Sequence, residues 1–548
     1  MRKLNLKSAS TVLIAVLALT LILTTAFAVS GDVASADNTP TGTKIGEFSV
    51  AHTSDIHYFP LDYCYQDVTA EDFKTSDFYQ STTVDTKLVM ESGNILYANV
   101  MRMLNMAKEG TLPLYVFATG DLTKNGERVA HRDVANSLRY LQNEVRKLGG
   151  KYTNFQVFAT VGNHDLYNGS GALYDKETGV KYGVAEGVTT AQWALLYNGL
   201  GYPSVDESVL YEIYPEEYWS SPFTSGYQPS TIAENLTLHY INDSFQEAHD
   251  ANLAGTPLTA EALHAKYLEI GDGFSQLSFN VEIANSSYKL IVADATLREK
   301  TEELVPVRVN PADYEYYKNG DYTFHLTKLD GNGNPTVTIL EENATESEIL
   351  AAFAAGHPVY RNSGYSHLCG GTLRPELLDF IADFTKNTTT TDGVNEATFI
   401  ACFHQNLLPH FEVEDDILKD FTFYNWEYIA KVFAELGVRY SLSGHQHSSD
   451  VMTYTDAEGR TVYDMQTGSF VSLDSPVRIF SVERYNCDGV LAEKADSSLY
   501  LLDSAGPTPL KATPSNHVYT TAPWNEEAYQ HRGPYTHLAK AKAVNHPI

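Results

Sequence analysis

Gln156-Val157-Phe158-Ala159-Thr160-Val161-Gly162-Asn163-His164-Asp165 opens like a strand and closes like a ligand set. After Gln156 its residues are apolar or β-branched, which suits a buried strand. Gly162 interrupts the run, and three side chains able to donate lone pairs follow at once. In open α/β sheets, ligands collect at the carboxyl ends of strands. Working outward, the same construction recurs four times. Phe48-Ser49-Val50-Ala51 leads to Ser54-Asp55-Ile56-His57, and Leu114-Tyr115-Val116-Phe117-Ala118 leads to Gly120-Asp121. Thr398-Phe399-Ile400-Ala401-Cys402-Phe403 leads to His404, and Val438-Arg439-Tyr440-Ser441-Leu442 leads to Gly444-His445-Gln446-His447. The candidate metal ligands are therefore Asp55, His57, Asp121, Asn163, His404, His445 and His447.

Carboxylate, imidazole and amide oxygen together suit hard and borderline cations, so Mn, Fe and Zn all fit this set. Alternate side chains of a strand point the same way, so Asp55 and His57 can face one ion. Asp121 has two oxygens and is the natural bridge between two ions. A pair of ions about 3.5–4 Å apart can activate a hydroxide and stabilise both the attacking and leaving oxygens of phosphoryl transfer. Gly120, Gly162 and Gly444 are expected to let the backbone turn tightly beneath the ions. An isolated Asp-x-His, or a lone histidine, would carry little. Five strand endings of the same kind in one chain carry the reading.

The bulk properties bound the function. With 548 residues, 43% hydrophobic and 12% aromatic, the chain is too apolar for a disordered protein. Its formal net charge of −31 argues against a broad nucleic-acid-binding surface, although a local metal site could still hold a phosphate. Arg2, Lys3 and Lys7 precede an apolar stretch from Val12 to Val29, and small-x-small sites follow at Ala26-Phe27-Ala28 and Ala34-Ser35-Ala36. Residues 1–36 are accordingly expected to be a signal peptide of bacterial type, giving a secreted or extracytoplasmic protein. No later run of about 18 apolar residues exists, so no further membrane contact is expected. Cys64, Cys369, Cys402 and Cys487 do not make a disulfide framework, and Cys402 reads as a small buried hydrophobe.

A linker over 37–43 leads to a region spanning 44–500, and a weakly patterned tail covers 501–548. Strands alternate with helices expected near 84–109, 127–148, 373–385 and 426–436, the pattern of a layered α/β domain. Two stretches, about 166–270 and 299–365, read as insertions. Gln276 to Ile283 and Tyr288 to Asp294 read as a hairpin. Strands are also expected at Thr461–Met465, Ser469–Ser472 and Val477–Val482. Asp330-x-Asn332-x-Asn334 has a calcium-loop spacing, but Pro335 stands where that loop needs glycine, so a hairpin tip fits better. His52, His131, His249, His367 and His410 read as structural or exposed.

The combined set of Asp55-x-His57, Gly120-Asp121, Gly162-Asn163-His164-Asp165, His404 and Gly444-His445-Gln446-His447 resembles the calcineurin-like metallophosphoesterases over roughly residues 45–485. That resemblance implies a four-layer α/β/β/α sandwich carrying two insertions, with two divalent or trivalent ions (Mn, Fe or Zn) at the strand ends. It assigns Asp55, His57, Asp121 and His447 to one ion, and Asp121, Asn163, His404 and His445 to the other. It places Asn163 beside the substrate phosphate and makes His164 the group that assists the leaving oxygen, a task suited to a side chain titrating near neutrality. The chain departs from protein Ser/Thr phosphatases, which carry Asp-Arg where Lys124 and Asn125 stand. It departs from purple acid phosphatases, which carry a tyrosine ligand at the position of Lys124. Gly120 to Glu127 is similar to the corresponding turn of cyclic-nucleotide phosphodiesterases. The expectation is an exported phosphoesterase working through a metal-bridging hydroxide, with a phosphodiester substrate slightly favoured over a monoester. A surface binding module that keeps the fold without turnover is the rival, and retention of all seven ligands plus His164 argues against it.

Overall fold

Aromatic and β-branched residues build two mixed sheets that carry every candidate ligand. A computed structural model describes residues 39–60, 76–78, 81, 89, 92–166, 171–175, 177–213, 227–268, 270, 275–296, 304–307, 324–329, 335–339, 345, 347–348, 350–351, 359–362, 370–411, 421–423, 425–472, 475–502 and 541–547. The residues 1–36, Cys64, Cys369, His367, the turn at 330–334 and most of the tail lie outside the described residues.

In chain order the first elements are β1 (Thr43–Ser54), α1 (Ser92–Lys108), β2 (Tyr115–Thr119), α2 (Arg128–Arg146) and β3 (Gln156–Thr160). Next come α3 (Thr190–Leu196), β4 (Leu236–Tyr240), β5 (Phe279–Ile283), β6 (Tyr288–Val292), α4 (Pro375–Asn387) and β7 (Thr398–Cys402). The last are α5 (Trp426–Leu436), β8 (Val438–Ser443), β9 (Asp450–Thr455), β10 (Thr461–Gln466), β11 (Val477–Cys487), β12 (Val490–Leu502) and β13 (Ala541–Pro547).

One sheet has the order β13-β12-β11-β1-β2-β3, and the other β9-β10-β8-β7-β6-β5-β4. Within the first, β1, β2 and β3 run parallel. Within the second, β6, β7, β8 and β10 do. All five ligand-bearing turns therefore follow parallel strands. The sheets face one another through a common core of Val50, Val116 and Phe158 from one and Phe279, Leu290, Ile400 and Leu442 from the other. Phe158 meets Phe279 with ring centroids 6.0 Å apart, and the Tyr288 hydroxyl donates to the Val482 carbonyl at 3.1 Å. Alternation along β7 serves two cores, since Phe399 and Ala401 pack on the other side with Leu377 and Ile381 of α4 and Ile429 and Phe433 of α5.

The helices follow from their sequences. In α2, Ala130, Val134, Leu138, Leu141 and Val145 recur every three or four positions and are all buried. Burying each of the larger ones contributes about 1.5–3 kcal/mol. Thr189 and Gln192 form a capping box on α3, Pro375 opens α4, and Gly437 closes α5 in the left-handed conformation at φ 77°.

The structure revises two local expectations. Ser469–Ser472 is not a strand, because Ser469 makes only an isolated bridge to Ser54. The strand expected at Val477–Val482 continues to Cys487 and pairs along its length with β12. The stretch read as the first insertion contributes β4, which pairs with β5 at the edge of the second sheet. The two-stranded hairpin of β5 and β6 forms as expected, with Asn285 in its turn at φ 57°. The strands Phe324–Leu329 and Pro335–Ile339 that flank the calcium-like spacing pair antiparallel, as a hairpin requires. Cys402 is buried, and among the described residues it and Cys487 are free thiols. Among the described residues no helix is long and apolar enough to cross a membrane.

Candidate metal centre

Three of the five ligand turns, those of Asp55, Asp121 and His445, leave their strands through left-handed backbone. Asp55, His57, Asp121, His445 and His447 all have positive φ, between 41° and 69°, a conformation that L-residues other than glycine seldom adopt. Such residues cost about 1–3 kcal/mol each and persist where the surroundings dictate them. Here the turns hold one another. The Asp55 amide donates to Gly120 O at 3.2 Å, the His57 amide to Asp121 O at 2.8 Å, and the Gly444 amide to His404 O at 2.8 Å.

Glycine is needed at these turns mostly for room. Gly120 does take a left-handed φ of 72°, and a Cβ there would also meet the His404 ring at 2.6 Å. Gly162 and Gly444 have ordinary φ values, so the expected tight turning is not their reason. A Cβ on Gly162 would run into the Asp121 amide and carboxylate, and one on Gly444 into the Ser54 hydroxyl and Asp55 Oδ2 at 2.6 Å.

All seven predicted ligands and His164 come together. On one side, Asp55 Oδ1 lies 3.6 Å from His57 Nε2 and 3.3 Å from His447 Nε2, and the two ring nitrogens approach to 3.1 Å. On the other, His404 Nε2 lies 3.1 Å from Asn163 Oδ1, 3.1 Å from His445 Nδ1 and 3.3 Å from Asp121 Oδ2. Asp121 Oδ2 is also 3.6 Å from His57 Nε2, so this one oxygen borders both groups. His164 Nε2 stands 3.8 Å from the same oxygen, with its side chain 27% exposed.

Backbone amides decide which carboxylate oxygens face inward. The His445 amide donates to Asp55 Oδ2 at 2.8 Å and the His164 amide to Asp121 Oδ1 at 2.8 Å. Asp55 Oδ1 and Asp121 Oδ2 are thereby turned to the imidazoles. His404 Nδ1–H donates to the Thr119 carbonyl at 2.8 Å, so that whenever the ring is neutral it is Nε2 that turns a lone pair inward. Ser54 Oγ donates to the same carbonyl at 2.7 Å.

The electrostatics favour positive charge in this pocket. Burial opposes ionisation of Asp55, but His404 and His447 outweigh it and hold the carboxyl well below the usual range. Burial likewise opposes Asp121, and His404, His164 and His57 outweigh it there. Burial would neutralise His404, yet Asp121 and Asp55 push it up to about 9. Burial and the neighbouring His404 push His445 down to about 3. The residues fit cations on two observations. Asp55 Oδ1 is buried without a hydrogen-bond donor among the described residues, and nitrogens and oxygens that can all act as acceptors face one another at about 3 Å.

The sequence reading gave no role to Asp165. Its buried carboxylate accepts from the amides of Gly162 at 2.8 Å, Leu122 at 3.2 Å and Thr123 at 3.1 Å, tying the Asp121 turn to the Asn163 turn. Its place in Gly-Asn-His-Asp was the available signal. Phe421 was also unanticipated, and its ring lies 4.6 Å from that of His445. Residues 48–330, just over half of the chain, match the family model described as calcineurin-like phosphoesterase, and no curated protein matches. That span includes Asp55, His57, Asp121, Asn163 and His164, while His404, His445 and His447 lie beyond it and reach the site through the second sheet.

Proposed function

The chain belongs to the calcineurin-like phosphoesterases, and from that premise we propose that it is an exported hydrolase of phosphodiesters with a dinuclear metal centre. In this reading Asp55, His57, Asp121 and His447 hold one ion, and Asp121, Asn163, His404 and His445 hold the other. Mn, Fe and Zn all suit these ligands. Bound in pairs, such ions lower the pKa of water and offset charge on phosphoryl oxygens. The chain supplies the rest. The Asn163 amide donates to a phosphoryl oxygen. The His164 imidazole, partly exposed at the edge of the site, gives a proton to the alcohol oxygen as its bond to phosphorus breaks.

One observation carries this reading: a single carboxylate oxygen of Asp121 borders two ligand groups brought from both sheets. The deciding experiment loads the protein with Mn, Fe or Zn and measures hydrolysis of bis(p-nitrophenyl) phosphate beside p-nitrophenyl phosphate. Faster cleavage of the diester supports the proposal, faster cleavage of the monoester replaces it with a phosphomonoesterase, and inertness to both favours a binding module. Export rests on the basic and apolar pattern of residues 1–36. A mature protein outside the cytoplasm that begins after Ala28 or Ala36 is the expected result, and a cytoplasmic protein starting at Met1 would exclude it.

A further inference from the structure

Behind the turn that carries His164 lies a buried polar group that the phosphoester reading does not use. His131, on α2, is fully buried. Its Nε2 lies 2.8 Å from the carbonyl oxygen of Asp165, the residue that directly follows His164. A carbonyl only accepts, so Nε2 carries the hydrogen. Its Nδ1 lies 2.9 Å from the Tyr197 hydroxyl, which must then donate to it. The ring is thus a neutral tautomer with both nitrogens used, in keeping with burial that pushes its pKa down to about 3.

Tyr197 is itself fixed. It follows α3 directly, within the stretch between the ligand turns that reads as an insertion. Its ring stacks on Trp193 at 4.0 Å, and Trp193 meets His131 edge-on at 5.1 Å. Thr123 Oγ1 lies 3.3 Å from His131 Nε2 and accepts from the Gly126 amide at 2.9 Å, which joins the trio to the Asp121 turn as well. A histidine satisfied merely for burial could bond any core carbonyl. This one bonds the carbonyl of Asp165, the residue next to His164, and so anchors the turn one peptide beyond it.

We infer that His131, oriented by Tyr197, is a positioning residue that holds the His164 turn against the substrate. The inference rests on the reading of His164 as the group that protonates the leaving oxygen. It gives the 166–270 stretch a part in the reaction: through Tyr197 and His131 it stiffens the turn from behind.

The test uses the metal-loaded protein and a series of aryl phosphodiesters whose leaving phenols span a range of acidities. Parent, His164→Ala, His131→Leu, His131→Gln, Tyr197→Phe and the His131→Leu/His164→Ala double variant are compared by kcat. His131→Leu is expected to lose about tenfold to a hundredfold on the poorest leaving groups, the scale of a slight misplacement, and much less on p-nitrophenol. His131→Gln, whose amide can still donate to the Asp165 carbonyl, recovers most of that loss. The double variant is no slower than His164→Ala alone, because the two residues act as one unit. Should His131→Leu not fold, Tyr197→Phe keeps the ring stack, removes one hydroxyl and must show the same leaving-group bias. Equal losses across all leaving groups, or losses that add to those of His164→Ala, overturn the inference. A leaving-group bias in His164→Ala with none in the His131 and Tyr197 variants overturns it alone, whereas no bias in His164→Ala overturns the role of His164 as well.

Discussion

His447 Nε2 stands 3.1 Å from His57 Nε2, although the two residues are 390 positions apart in the chain. Both atoms also face Asp55 Oδ1. Without a cation, one ring must hold a proton between them. With a cation, three lone pairs converge on one charge. Metal binding therefore displaces that proton and joins three atoms through one charge that the unfolded chain could not gather, so it is linked to stability.

Chelation should accordingly lower the thermal midpoint of the loaded protein. Metal at a hundred times its Kd stabilises a fold by about 2.7 kcal/mol, and all of that is lost when the metal is withdrawn. Scanning calorimetry before and after chelator, then after resupply of Mn or Zn, measures it. A midpoint indifferent to all three conditions would refute the linkage.

Asp121→Asn tests the shared ligand. With its one oxygen still accepting from the His164 amide, the substituted side chain must turn its hydrogen-bearing nitrogen toward His57 and His404. The parent is expected to bind about two ions per chain. The variant should hold fewer and lose more than about a hundredfold in turnover, since even outer-shell changes at metal sites cost 10–100-fold. Elemental analysis of the purified proteins, paired with turnover, reads both. Full metal content in the variant would remove Asp121 from the centre.

Gly444→Ala should strike the same site through sterics alone. The added methyl overlaps the Ser54 hydroxyl and comes within 2.6 Å of Asp55 Oδ2, the oxygen that the His445 amide holds, and so disturbs how Asp55 is aimed. About 1–3 kcal/mol of stability is lost to such overpacking, and metal affinity falls with it. Gly437→Ala is the control: nothing lies within 4 Å of its Cβ, so only the left-handed φ of 77° is strained and metal binding is untouched. Equal metal affinity in the two variants would contradict this account.

The strand ends were legible because each apolar run stops at a side chain with lone pairs, and the matching of five such stops needs no knowledge of the fold. Trp426–Leu436 was readable to the residue, since its apolar period runs straight into Gly437. Burial was not legible in the same way. Gly-Asn-His-Asp marks Asp165 without saying what it does, and only the three amides aimed at its carboxylate give it a task. His131 and His410 read as ordinary histidines for the same reason. Leu236–Tyr240 alternates so briefly, among Tyr- and Gly-rich sequence, that its pairing with β5 could be recognised only from the sheet. Gly162 and Gly444 were identified correctly as special but for conformational freedom, whereas their neighbours show that they are there for close approach.

His410 makes stability fall with rising pH. Its Nε2 lies 3.3 Å from Asp464 Oδ2 and its Nδ1 3.5 Å from Asp450 Oδ2. Burial opposes its charge, but these two carboxylates overcome burial and push it up to about 9. In the unfolded chain it titrates near 6.5. A group whose folded pKa is raised stabilises fully below the unfolded value, and that contribution is lost as pH climbs through the folded value. The window is thus about pH 6.5 to 9, and the amount at stake is up to about 3 kcal/mol. Loss of the proton leaves Asp464 supported by the Leu408 amide at 3.0 Å and the hydroxyls of Ser441 and Ser443, which is why unfolding should remain cooperative across the window. Urea unfolding at a series of pH values, parent against His410→Gln, isolates the effect. The glutamine keeps hydrogen-bonding capacity without titrating, and His404 and Asp165, which also titrate between neutrality and about pH 9, are common to both proteins and cancel in the difference. The parent should lose stability across the window while the variant changes less; parallel profiles would show that the Asp450 and Asp464 carboxylates do not hold His410 charged.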